Sequence, residues 1–199
     1  LLFSAYNILL SKLSKQEDIV VGVPSSGRNY MVSSHAIEQI IGMFVNTLAI
    51  RNSVIDDFTF SQFLEEVKRK SALTFEHEQY QYEDLVDALD LSRDTSRNPL
   101  FDTMFSFFKE DEGSQGAELL SELNISSFTN LDEELSMFDI SMDVKETSDR
   151  LFFTIKYSSD LFVEETVERF VIYFKELILS ILENQNAPIG SLTMLPELE

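Results

Sequence analysis

IGMFVNTLAIR, residues 41–51, is the stretch on which the reading of the fold turns. From Met43 to Arg51 apolar side chains fall on both alternating sets of positions, the pattern of a strand covered on two faces, which places 43–51 in the middle of a sheet. Gly42, just before the strand, has no Cβ and lets a ligand or a second backbone approach closely. Asn46 lies inside the apolar run and carries both a donor and an acceptor that need partners. Two readings stay open for it: satisfaction within the sheet, or binding of a neutral amide chain.

Working outward, DIVVGVPSSGR (18–28) is a short buried strand at 19–23 stopped by Pro24, Ser25, Ser26 and Gly27. SSHAIEQIIG (33–42) reads as a short helix with Ser34 as its cap and Gly42 at its end. At the start, LLFSAYNILLSKL presents Leu2, Phe3, Tyr6, Leu9, Leu10 and Leu13 on one helical stripe. That helix has neither a preceding cap residue nor an initiator methionine, so the chain is expected to be part of a longer polypeptide. Downstream, Thr59 and Gln62 have the spacing of a capping box and open a helix with Phe60, Phe63, Leu64, Val67 and Ser71 inward. A second helix after His77 is expected to bury Tyr82, Leu85, Val86 and Leu89.

NPLFDTMFSFF (98–108) reads as another strand, with Phe101, Thr103, Phe105 and Phe107 on one face. Residues 109–136 are acidic, without a clear period, and too long for an ordinary connection, which marks a working loop or disorder. DISMDV (139–144), with Ile140, Met142 and Val144 inward, pairs with LFFTIKY (151–157) as an antiparallel hairpin across KETSDR. The last helix, 163–183, shows Val163, Val167, Phe170, Phe174, Leu177, Ile178 and Ile181 as its stripe. With no repeat and no interior linker, the 199 residues read as one α/β unit, a mixed sheet with helices.

Composition excludes several functions. Thirty-five acidic against 15 basic residues, a formal charge of -20, repel phosphate backbones and anionic lipid, so neither nucleic acid nor a membrane is an expected partner. No apolar run approaches the roughly 20 residues of a membrane span, and nothing reads as a signal peptide. The absence of cysteine rules out disulfides, a thiol nucleophile and a zinc–thiolate site, and is compatible with a cytoplasmic location. The only two histidines, His35 and His77, lie far apart and give no metal site. His77, between Glu76 and Glu78, reads as a surface or structural group, because no nucleophile is arranged with it. Arg93 and Arg97 bracket Asp94, a spacing suited to an ion pair that orders the loop before the Pro99 strand.

Three of these segments, in order, resemble the condensation domain of a non-ribosomal peptide synthetase. IGMFVNTLAIR is similar to that family's Gly-x-Phe-Val-Asn-Thr motif, HEQYQYEDLV (77–86) to His-Gln-x-Tyr-Pro-Phe-Glu, and RDTSRNPLFDTMFSF (93–107) to Arg-Asp-x-Ser-Arg-Asn-Pro-Leu-Phe. VPSSGR (23–28) and YSSDLFVEETVERF (157–170) also fit, so the resemblance runs the whole chain. Gln79, Gln81 and Tyr82 depart from the second motif, where Asp, Pro and Phe are usual, and bear on that loop's rigidity. The family's catalytic His-His-x-x-x-Asp-Gly string does not occur.

The resemblance implies the C-terminal lobe of a two-lobed, chloramphenicol-acetyltransferase-like fold, with the catalytic histidine on an N-terminal lobe and no catalytic residue or metal ligand here. It implies amide formation between two carrier-tethered thioesters, in antibiotic-type peptide synthesis. Implied partners are upstream and downstream peptidyl carrier domains bearing phosphopantetheine, the N-terminal lobe and an adjacent adenylation domain; no cofactor is bound directly. On this resemblance Gly42, Met43, Phe44 and Asn46 border a substrate tunnel and Arg28 lies near an incoming phosphopantetheine phosphate. His77, Arg93, Asp94, Arg97 and Asn98 are structural motif residues, 24–42 is a floor loop and 109–136 a latch. A non-catalytic module that only binds a carrier or another domain is the alternative. A coenzyme A acyltransferase is a further one, opposed by the lack of a basic cluster for the phosphates. An isolated fragment without the histidine motif is expected to be inactive.

Overall fold

The computed structural model describes residues 1–28, 40–90, 97–109 and 136–196. Five strands, β1 (Asp18–Ser25), β2 (Asn46–Ser53), β3 (Thr103–Lys109), β4 (Ile140–Glu146) and β5 (Leu151–Tyr157), form one sheet in the order β2-β1-β3-β4-β5. β1 and β2 are antiparallel, from Asp18 opposite Ser53 to Ser25 opposite Asn46. β3 lies parallel to β1 and to β4, and β4 and β5 form the expected antiparallel hairpin, Ile140 opposite Tyr157. The sheet is therefore mixed, as the alternation of strand and helix patterns predicts.

Four helices accompany it: α1 (Leu2–Ser14), α2 (Phe60–Glu76), α3 (Tyr82–Ala88) and α4 (Glu164–Glu183). α2 begins where its sequence says it should. The Gln62 N–H donates to Thr59 Oγ1 at 3.2 Å and the Thr59 N–H donates to Gln62 Oε1 at 2.9 Å, so two end-of-helix donors are satisfied reciprocally. Tyr6, Ile8 and Leu9 of α1, Phe60, Phe63 and Val67 of α2, and Phe174, Leu177 and Ile181 of α4 meet Ile19, Val21, Phe105, Met142 and Val144 of the sheet in one core. Each such side chain, fully buried, contributes about 1.5–3 kcal/mol. Tyr6 carries its hydroxyl into this core, where it shares a 2.5 Å hydrogen bond with Thr103 Oγ1, and burial pushes its ionisation well above the ordinary phenol range.

Four expectations are corrected. Among the described residues β2 is an edge strand, paired with β1 alone, and not the middle of the sheet. Its apolar look came from Met43, Phe44 and Val45, which precede the strand; within it the second face is Thr47, Ala49 and Arg51, and Arg51 is an exposed partner of Asp18 at 2.7 Å. α1 is buried almost all round its middle, Ser4 and Asn7 included, because the sheet and two helices enclose it. Asn7 manages this by donating to Phe3 O at 2.7 Å and accepting from Asn52 Nδ2 at 3.1 Å. Phe107 is half exposed: Phe105 takes the rings of Phe3 and Tyr6, and Phe107 lies two residues beyond that cover. α3 buries none of its residues fully, and Leu89 is exposed. Residues 33–39 of the expected helix, His35, Arg93, Asp94 and the body of the 109–136 segment lie outside the described residues, and the described end of that helix, 40–42, is not helical.

Candidate functional site

The end of β1, the start of β2 and the loop joining α2 to α3 converge on Glu78. This carboxylate is almost wholly buried and accepts the Ser25 hydroxyl through Oε2. Ser25 Oγ in turn accepts the Gly27 N–H at 3.3 Å. From β2, Asn46 Nδ2 donates to Glu78 O at 2.7 Å and to Tyr80 O at 2.9 Å, and Asn46 Oδ1 accepts the Thr47 N–H at 2.8 Å. Both amide protons of Asn46 are thus bound to protein, the arrangement of the first of its two open readings: a buried amide that ties a loop to a sheet edge.

Residues 40–45 are held against this clasp from the side. Gly27 has φ +63°, a left-handed conformation that side-chain-bearing residues rarely adopt, and a Cβ placed on it would stand 1.8 Å from Phe44 O. Arg28 reaches over the same segment. Its guanidinium donates to Ile40 O and Gly42 O, each at 3.2 Å, and sits 4.4 Å from the Phe44 ring centroid. The close approach of a second backbone is found at Gly27; at Gly42 an added Cβ meets the edge of the Phe44 ring, at 3.2 Å. With Phe44 turned toward Arg28, the side chains of Ile41, Met43 and Val45 stand out into solvent, Met43 at 93% exposure.

His77 ends α2 in an exposed position, its N–H donating to Thr74 O and its carbonyl accepting from the Tyr80 N–H. It lines an open groove of about 660 Å³ with Thr47, Ala49, Leu73, Tyr80 and Tyr82, and no described side chain completes a nucleophile–base arrangement with it. At the wall of this groove Tyr82 donates its hydroxyl to Asn98 Oδ1 at 2.6 Å and meets the Phe101 ring edge-on at 5.8 Å. The departure from Phe to Tyr at position 82 thus comes with a partner for the added hydroxyl. Among the described residues no group of three or more metal-binding side chains assembles, and no helix is long and apolar enough to cross a membrane.

Arg97 is near enough to Asp139, just before β4, to act on its charge. Burial and the neighbouring Asp102 raise the Asp139 carboxyl above the usual range, against the opposing pull of Arg97. A raised folded-state pKa means that ionised Asp139 opposes folding; the cost is absent below the ordinary carboxylate pKa and is in full force once pH exceeds the raised value. Asp139→Asn is expected to raise the melting temperature by on the order of 1 °C at pH 7, with the gain disappearing below the ordinary carboxylate range; melting curves at the two pH values check it.

The structure therefore brings Arg28, Gly42, Phe44 and Asn46 together around one loop, leaves Met43 at its exposed tip, and puts Asn98, through Tyr82, beside the groove that His77 lines, while Arg97 stands near Asp139. Ser25, Gly27 and Glu78 were not foreseen. For Gly27 the turn-forming Pro-Ser-Ser-Gly run was the available signal; for Glu78 the available signal was its place in the second motif, at the position of that motif's Gln, although a lone acid by itself does not distinguish a buried carboxylate from a solvated one.

The family described as "Condensation domain" matches the chain over residues 1–199. Gramicidin S synthase 2 of Brevibacillus brevis is 44% identical over 201 residues, covering 100% of this chain and 4% of that protein. A four-domain nonribosomal peptide synthetase crystallised with AMP and glycine superposes with a TM-score of 0.81 at 24% identity, over 98% of this chain and 15% of that one. The condensation domain from the monacolin K polyketide synthase MokA gives 0.73 at 19% identity, over 94% of this chain and 42% of that one. These likenesses establish the fold as the chloramphenicol-acetyltransferase-like architecture of condensation domains, a mixed sheet flanked by helices.

Proposed function

This chain belongs to the condensation-domain family, and on that premise we propose that it forms one wall of a peptide-bond-forming site in a non-ribosomal peptide synthetase. The observation that carries the reading is the 40–46 segment: apolar side chains at 41, 43 and 45 project from a backbone pinned by Asn46, Gly27 and Arg28. An uncharged pantetheine arm and acyl chain suit such a surface better than a charged ligand does. The 199 residues act as the C-terminal lobe, an assignment that rests on the order of the three motifs; a share of 42% of a solved condensation domain suits one lobe of two.

The proposed step is the attack of an aminoacyl amine on the carbonyl carbon of an upstream acyl or peptidyl thioester. The C–N bond forms, the C–S bond breaks, and one amine proton leaves while the thiol departs on its carrier. An α-amine with a pKa of about 7.7–8.0 is partly neutral at pH 7, so holding the two arms in line contributes more than a strong base would. The histidine motif that assists the step lies outside these residues, whose two histidines are isolated. Asn46, with both amide protons engaged, serves by positioning the wall. Arg28 serves the same end through the carbonyls of Ile40 and Gly42. Residues 109–136 act as the latch toward the other lobe, and the partners are two carrier domains, that lobe and an adenylation domain.

Amide formation from two loaded carriers tests this. The complete polypeptide is expected to yield the product, and the isolated 199 residues none above the uncatalysed background. Product from the isolated chain would overturn the wall assignment; carrier binding by the complete polypeptide without product would make it a non-catalytic docking module.

A further inference from the structure

The feature that the wall reading does not explain is a carboxylate inside it. Glu78 has 2% of its surface exposed, it sits in a loop and not in the core, and the ion pairs found among the described residues include none at Glu78. A buried carboxylate that served only to fill space would be replaced with advantage by an apolar side chain, since desolvation is costly. Its partners show a different use. Oε2 accepts a hydrogen bond from the Ser25 hydroxyl, which turns the Ser25 oxygen's lone pairs toward the Gly27 N–H, and Gly27 is the residue packed against the Phe44 carbonyl. The same residue's backbone carbonyl takes Asn46. Glu78 is thus bound to both ends of the excursion between β1 and β2, through its side chain at the β1 end and its main chain at the β2 end.

We propose that Glu78 is a positioning residue for the 40–46 wall: by fixing the Ser25 hydroxyl it holds Gly27 in its left-handed turn and so sets where Phe44 and Met43 stand. The proposal deepens the wall reading and rests on it for the catalytic consequence, though not for the structural one. Charge is not what the clasp needs. An amide oxygen at the same distance from the backbone accepts the hydrogen bond from Ser25 equally well, whereas alanine leaves Ser25 to turn elsewhere and a cavity beneath the loop.

The test uses the complete polypeptide, with hydrogen exchange of segments 24–28 and 40–46 read beside condensation kinetics. Glu78→Ala is expected to speed exchange in both segments by about tenfold or more while α1 and α4 keep their rates, and to lower kcat by about tenfold with carrier KM little changed. Glu78→Gln is expected to restore both to within about threefold, which separates positioning of the hydroxyl from generic packing. Ser25→Ala, a smaller change, is expected to reproduce the faster exchange of Gly27; it decides the matter if Glu78→Ala loosens α1 and α4 as well. Unchanged exchange at 24–28 and 40–46 in both alanine variants overturns the clasp, as does failure of Glu78→Gln to rescue. Faster exchange with undiminished kcat keeps the clasp and overturns its link to the wall.

Discussion

Replacing Asn46 by alanine is expected to cost the fold about 2–3 kcal/mol, seen as a fall in melting temperature on the order of 5–10 °C. The side chain is buried and makes three hydrogen bonds; its loss strands the carbonyls of Glu78 and Tyr80 and the N–H of Thr47 together. Asn46→Asp sharpens the point. It keeps an acceptor for Thr47 but turns a carboxylate oxygen toward two carbonyl oxygens, so it is expected to be at least as damaging as alanine despite its closer shape. Thermal unfolding of the two variants checks this, and an aspartate that melts like the wild type would show that the amide protons are not what holds the loop.

The second large effect is expected at Gly27. Alanine there adds the left-handed backbone penalty of about 1 kcal/mol and puts a Cβ 1.8 Å from Phe44 O, a contact that backbone must move to relieve. The combined loss is expected to reach about 3 kcal/mol, or the 40–45 segment is expelled from its seat with faster proteolysis near Phe44. Gly42→Ala is the control. Its Cβ meets only a ring edge at 3.2 Å and its loss is expected to stay under about 1 kcal/mol. Equal effects at the two glycines would contradict the packing described.

Much of the fold was readable because local signals and tertiary outcome agree. The Thr59–Gln62 box, the hairpin around 145–150 and the Val167–Phe174–Leu177–Ile181 stripe each follow from spacing alone, since a cap, a turn and a helix face are settled within a few residues. The errors came where distant chain decides. An apolar run at 43–45 looks the same whether it lies in a sheet or projects from a loop, and only the pairing of β2 with β1 tells which. The stripe expected for α1 left out Ser4 and Asn7, which are buried too, because periodicity cannot reveal a helix enclosed by three neighbours. In the candidate site, Arg28, Phe44 and Asn46 were singled out through a motif, while the carboxylate that joins them through Ser25 was passed over. Burial of a lone acid is a property of the folded chain; its place at the Gln of the second motif was the one mark that position 78 carried.

The central claim, that 40–46 borders the path of a carrier-borne arm, is tested most directly by cross-linking. The chain contains no cysteine, so Met43→Cys in the complete polypeptide adds one reporter to this region, and a carrier domain with a thiol-reactive group at the end of its pantetheine arm is the probe. Leu179→Cys, exposed on α4, is the reference. The account predicts capture at position 43 at least about tenfold faster than at 179, suppressed by a carrier loaded with the natural acyl group. Equal rates at the two positions, or capture at 43 that a loaded carrier does not suppress, would contradict it.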